Sequence, residues 1–223
     1  QCTFGADLRL RLTHFDRNVI SPDSIIPPGP ALEYLRVRER AWACFDLNEK
    51  SRLQLRLVNR WHHYSSNIVD NNPWEFPDEV VFDNLFLDLD NLFGSNWSVR
   101  LGRQDVLLGK GMVLLEGTPY DQGRTIYFDG VTARYQTECD TLTLLALYNS
   151  YKDGTVFIND QNRRLRRGDS WIFGPYWTHR FNDSFNTDLY YLYTEIDDDF
   201  ENTDERNHPR DENAELHIAG IRV

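Results

Sequence analysis

The connections between the β-like segments of this chain alternate strictly between short turns and long links, and few architectures have a use for that rhythm. Period-two stretches bounded by Asn, Asp, Gly, Pro or Ser predict about ten strands, near 6–15, 31–46, 51–63, 80–91, 97–103, 127–138, 141–150, 170–181, 185–196 and 214–223. No window sustains an apolar 3.6-residue period, so the chain reads as all-β. Short turns fall at Asp46 to Ser51, Asn91 to Asn96, Glu138 to Thr141 and Asn182 to Phe185, and long links at 16–30, 64–79, 104–126, 151–169 and 197–213. A β-sandwich does not require this alternation. A barrel of the bacterial outer membrane does, because its periplasmic turns are short and its extracellular loops long. On that reading the first strand runs outward, both ends of the chain lie on the periplasmic side, and the acidic segment from Asp197 to Glu212 lies outside.

Side-chain chemistry follows the same period. In Leu8-Arg9-Leu10-Arg11-Leu12, Leu35-Arg36-Val37-Arg38 and Arg52-Leu53-Gln54-Leu55-Arg56-Leu57, successive side chains point to opposite faces, so leucines line one face and arginines the other. A half-buried soluble sheet alternates in this way too. The membrane reading is favoured by the recurrence of long polar residues on several strands. Aromatics near strand ends also favour it: Trp61 and Tyr64, Trp97, Tyr127 and Phe128, Tyr148 and Tyr151, Trp171 and Trp177, and Tyr190, Tyr191 and Tyr193. Glu39 conflicts with the pattern, since with Arg36, Arg38 and Arg40 facing inward it shares the outer face with Val37 and Ala41. A bulge, a shifted register or a subunit contact would remove that conflict.

Composition narrows the function. A net charge of -11 disfavours nucleic acid as a partner, and no apolar run approaches the ~18 residues of a membrane helix. With Lys50, Lys110 and Lys152 the only lysines among 24 basic residues, 21 are arginines, whose planar fork suits fixed contacts to carboxylate or sulfate groups. Cys2, Cys44 and Cys139 form no CxxC pair and imply neither a zinc site nor a disulfide scaffold. A start at Gln1 without a charged-then-apolar leader is read as a removed signal peptide or a missing upstream segment.

The most specific stretch is Val99-Arg100-Leu101-Gly102-Arg103-Gln104, then Gly109-Lys110-Gly111, Gly123-Arg124-Thr125 and Phe128-Asp129-Gly130-Val131, closing with Thr132-Ala133-Arg134-Tyr135. Here the chain resembles the bacterial alginate-export family of outer-membrane β-barrels, in which a strand ending in Gly-Arg-Gln leads into a long inward-folding loop and an Arg-Thr-x-Asp-Gly-like start of the next strand. Ile126 and Tyr127 are extra residues relative to that pattern. Arg36-Val37-Arg38, Asn84-Leu85-Phe86-Leu87-Asp88 and Leu216-His217-Ile218-Ala219-Gly220-Ile221-Arg222 add to the likeness, which covers about the N-terminal half of a barrel of that family. The resemblance implies a wide pore passing an anionic polysaccharide without chemistry, with Arg36, Arg38, Arg100, Arg103 and Arg124 as lumen cations and Asp129 as a partner at the loop base. Arg40, Arg56 and Arg134 join them by strand parity, and Asp88 and Asp90 are the carboxylates such arginines would pair with.

The remaining candidates carry less. Asp88 and Asp90 share a face about 7 Å apart, but neighbours on one strand rarely flank a glycosidic bond, so a catalytic pair is not expected. The six histidines are dispersed or point to opposite faces, and no cofactor or metal is expected. The Asp197 to Glu212 segment lacks calcium-loop spacing, leaving weak divalent binding open, and Arg163, Arg164, Arg166 and Arg167 form a basic cluster suited to lipopolysaccharide phosphates or an entering anionic polymer.

The expectation is an antiparallel transmembrane β-barrel, one domain over 1–223. It serves as a non-enzymatic channel of the bacterial outer membrane for an alginate-like polysaccharide or anionic solute. Its partners are outer-membrane lipids and periplasmic or membrane proteins. The alternatives are a general porin with anion preference and a soluble carbohydrate-binding β-sandwich. Ten strands closing on themselves would crowd the lumen arginines, and Ile221-Arg222-Val223 lacks a terminal aromatic, so the chain is expected to be the N-terminal portion of a larger barrel.

Overall fold

The computed structural model describes residues 1–15, 32–65, 74–75, 79–116, 127–150, 156–158, 169–197 and 213–223. Among these residues fourteen strands follow one another: β1 (Cys2–Phe15), β2 (Leu32–Asn48), β3 (Ser51–Tyr64), β4 (Trp74–Glu75), β5 (Val80–Leu89), β6 (Trp97–Gln104), β7 (Val106–Leu108), β8 (Leu114–Glu116), β9 (Phe128–Gln136), β10 (Asp140–Asn149), β11 (Val156–Ile158), β12 (Asp169–Asn182), β13 (Phe185–Asp197) and β14 (Ala214–Arg222). The ten strands expected from the two-residue period are all present. Four short strands inside the long links, β4, β7, β8 and β11, carried too few residues to show a period of their own.

The ten long strands hydrogen-bond in the order β1-β2-β3-β5-β6-β9-β10-β12-β13-β14, each antiparallel to its neighbours, with β4 attached to β3 and β11 to β5. Chain order and sheet order coincide because each strand returns beside the one it left, through a turn or a link. Asn48 and Asn182 shape two of the turns, their side-chain oxygens accepting the N–H of Lys50 (2.8 Å) and Ser184 (2.9 Å). Among the described residues β1 pairs only with β2 and β14 only with β13, so the sheet is open. The small closed barrel, which would have joined the first strand to the last, is not formed here.

Register converts the sequence alternation into rows across the sheet. Phe45, Leu53, Leu87, Leu101, Val131, Ala146 and Phe173 are successive ladder partners from β2 to β12 and form one transverse apolar row. Toward the short turns, Trp97, Tyr135, Leu142, Trp177, Leu189 and Ile221 form another, with the Trp97 and Tyr135 rings 5.2 Å apart. Much of this leucine face is open to its surroundings: Leu8, Leu10 and Leu12 are 64%, 62% and 77% exposed, and Leu101, Val131, Phe173 and Leu189 are exposed as well, while Val37, between Leu10 and Trp61 on the same face, is buried. Glu39 lies on it between Leu8 and Asn59, with no bulge or register shift at that point.

The opposite face holds the main core cluster among the described residues. Leu145 and Leu147 of β10, Ile172 and Tyr176 of β12, Leu192 of β13 and Phe128 of β9 bury themselves against Val106 and Leu108 of the β7–β8 hairpin, which folds back onto the sheet. A fully buried leucine such as Leu147 contributes about 2 kcal/mol, enough to hold a short hairpin in place. Tyr127 and Phe128, grouped by sequence with the strand-end aromatics, are instead buried, Tyr127 against Val58 and Val81 and Phe128 in the main cluster. Tyr190 likewise stacks on Tyr176 at 5.6 Å on the covered face.

Candidate functional site

The covered face carries the arginines, and on β1 to β3 it places like charges side by side. Arg9, Arg38 and Arg60 are direct ladder partners in one row, with Arg11, Arg36 and His62 in the next. Like charges facing one another across a ladder repel, so such a strip persists only with anions nearby. Asp7 supplies one: Arg40 Nε donates to both its carboxylate oxygens (3.1 and 2.9 Å) and Arg38 Nη2 reaches Oδ1 at 3.5 Å. Arg36 donates to His62 Nε2 (3.1 Å) and to the Tyr34 hydroxyl (3.2 Å).

Farther along the sheet the arginines are neutralised one by one. Arg56 donates to the fully buried Asp83 and, at 2.9 Å, to Asp105 at the root of the inward hairpin. Arg100 grips Asp88 with two hydrogen bonds of 2.7 and 2.9 Å, its guanidinium 3.9 Å from the centre of the Phe86 ring. Both oxygens of Asp88 therefore accept from Arg100. Arg103 sits where β6 leaves β5: it forks onto Asp129 with two bonds of 2.9 Å, donates to the Phe82 carbonyl at 3.1 Å and lies 5.0 Å over the Tyr127 ring. Almost wholly buried, it ties β6 to β9 and presents no free fork to a solute.

The Gly-Arg-Gln and Asp-Gly stretches of β6 and β9 pair with each other. Gly102 pairs with Gly130, Arg103 with Asp129 and Gln104 with Phe128. Both glycines hold φ values (+117° and +149°) that disfavour a side chain, and a Cβ on either would come within 2.3 Å of a neighbouring strand's carbonyl, Leu85 O or Ala146 O. The Gln104 amide lies across the pair, donating to both glycine carbonyls (3.2 and 3.3 Å) while its oxygen accepts the Thr132 hydroxyl (2.8 Å). Immediately afterwards Asp105 is caught by Arg56 and the chain turns inward into β7.

Between that hairpin and the wall of β5, β6, β9 and β10 lies a cleft of about 170 Å³. Asp88, Asp90, Arg100, Asp105 and Arg134 line it together with Ser98, Gln104, Thr132 and Thr143. The residues nominated from sequence are thus divided among three places. Arg36, Arg38 and Arg40 lie in the strip, Arg100, Arg134, Asp88 and Asp90 in the cleft, and Arg103 and Asp129 in a buried staple, while Arg56 links the strip to the hairpin root. Arg124, the acidic segment beyond Asp197 and the Arg163, Arg164, Arg166 and Arg167 cluster lie outside the described residues.

Sequence reasoning did not single out Asp7, Asp83 or Asp105, the carboxylates that organise the arginines. Parity in β1 would have found Asp7, two residues before Arg9 on the same face. Asp83 is the extra residue of a bulge between the Arg56 and Leu57 pairings, which no alternation reveals. Among the described residues no three His, Cys, Asp or Glu side chains are placed to hold a metal ion. Compared with known proteins, the chain matches no family model and no curated sequence.

Proposed function

We propose that this chain forms the wall of a channel in the bacterial outer membrane, passing an anionic polysaccharide of the alginate type, or smaller anionic solutes, along its arginine face. The observation that carries the proposal is one sheet with two opposed faces: apolar rows, half-exposed to exposed, on one side, and the Arg9, Arg38 and Arg60 row on the other. A soluble sandwich would bury the leucines between two sheets, whereas a membrane wall turns them toward lipid and needs nothing to cover them. The aromatic row beside the short turns fits the girdle at a membrane interface.

Spaced cations favour an anion without trapping it, so a polymer moves from one contact to the next. The pairing of Arg56, Arg100 and Arg103 with carboxylates favours a second reading, a general porin whose arginines tune small-ion selectivity. Reversal potentials in planar bilayers test the proposal. Arg9, Arg11, Arg36 and Arg60 changed together to Gln should shift an anion-preferring channel toward cations in dilute salt. The shift should fade near 1 M, where the Debye length is about 3 Å. An unchanged reversal potential in dilute salt would show that the strip does not line the pore, and blockage by oligouronates, absent with simple anions, separates the polysaccharide channel from the general porin.

A further inference from the structure

The cleft under the hairpin differs in charge from the arginine strip. Three carboxylates, Asp88, Asp90 and Asp105, face two guanidiniums, Arg100 and Arg134, so the lining is formally negative by one. Arg100 is spent on Asp88, and one oxygen of Asp105 on Arg56. Asp105 Oδ1 is buried with no hydrogen-bond partner. Asp90 and Arg134 make no side-chain hydrogen bond or ion pair among the described residues.

Register fixes where these two stand. Ser98 pairs with Arg134, and one step beyond the Leu89–Val99 pair brings Asp90 beside Ser98, its own N–H held by the Lys50 carbonyl at 2.7 Å. An unneutralised carboxylate and an unneutralised guanidinium therefore share one row, two strand spacings or about 10 Å apart, with Ser98 between them. A plain polyanion meets repulsion at the Asp90 end. A solute with an ammonium at one end and a carboxylate at the other satisfies both.

We infer that the cleft binds a zwitterionic glycan unit, a free-amine sugar joined to a uronate, with the ammonium at Asp90 and the carboxylate at Arg134. This rests on the channel reading for its biological setting, since it makes the cleft the step at which the pore distinguishes an amine-bearing glycan from a simple polyuronate. Binding itself is measured without any membrane.

The probes are a glucosamine–glucuronate disaccharide with its amine free and the same disaccharide N-acetylated, which differs by the positive charge. Each is titrated calorimetrically into the purified protein in detergent micelles at low salt. The free-amine form should bind at least about tenfold more tightly. Asp90→Asn should erase that difference, while Arg134→Gln should weaken both forms. Asp90 is exposed and its backbone bond to Lys50 survives the substitution, and unchanged circular dichroism of each variant confirms the fold. Equal or tighter binding of the acetylated form, stronger binding by Asp90→Asn, or no binding of either probe would each overturn the assignment. Absent conductance in planar bilayers with the calorimetric preference intact would instead overturn the channel reading and leave the site standing.

Discussion

On the leucine face Glu39 stands between Leu8 and Asn59 with nothing to turn it away. In a membrane wall an outward carboxylate costs free energy that depends on depth, so Glu39→Leu should stabilise the protein in lipid vesicles by about 1–2 kcal/mol. No change in the urea midpoint would place Glu39 in water. Buried and exposed ion pairs on the other face should separate cleanly. Asp83 is fully buried against Arg56, and Asp83→Ala takes from that guanidinium one of its two carboxylates, leaving Asp105, at a cost of about 3 kcal/mol in denaturant unfolding. Asp46 faces the exposed Arg52, and Asp46→Ala should cost at most about 1 kcal/mol. Similar losses for the two variants would contradict this reading of burial on the arginine face.

The inward hairpin is where the sequence was least legible among the elements. Arginine parity identified the covered face on β1 to β3, but on β10 the run Leu144-Leu145-Ala146-Leu147 is apolar on both faces, and a two-residue alternation cannot announce a surface that is covered twice. The cover is Val106 and Leu108, two buried residues of a short strand inside a link otherwise read as a loop, and their partners lie too far away in sequence for any local pattern to connect them. Leu147→Ala, which empties the space under the hairpin, should cost about 2–5 kcal/mol. Leu108→Ala should loosen the hairpin and raise single-channel conductance with little change in ion preference, because no charge is moved. Conductance unchanged by Leu108→Ala in a folded protein would mean that the hairpin does not narrow the path.

At the scale of the whole molecule, the ten strands and their short turns were readable because each repeats a two-residue period over 8 to 17 residues. Closure was not readable, since no residue pattern states which strand an edge will meet. Among the described residues the sheet leaves one edge on β1 and one on β14, and in a bilayer both must be paired, because lipid offers no hydrogen bonds to open backbone groups. The central claim is that the leucine face meets lipid. It is tested most directly by spin labels on single cysteines in the protein reconstituted into liposomes, after Cys2, Cys44 and Cys139 are replaced by serine. Labels at Leu87, Leu101 and Val131 should be quenched by oxygen dissolved in the bilayer, and labels at Gln54, Ser98 and Thr132 by a water-soluble nickel chelate, alternating residue by residue. Nickel access at Leu87, Leu101 and Val131 equal to that at Ser98 and Thr132 would contradict the membrane wall.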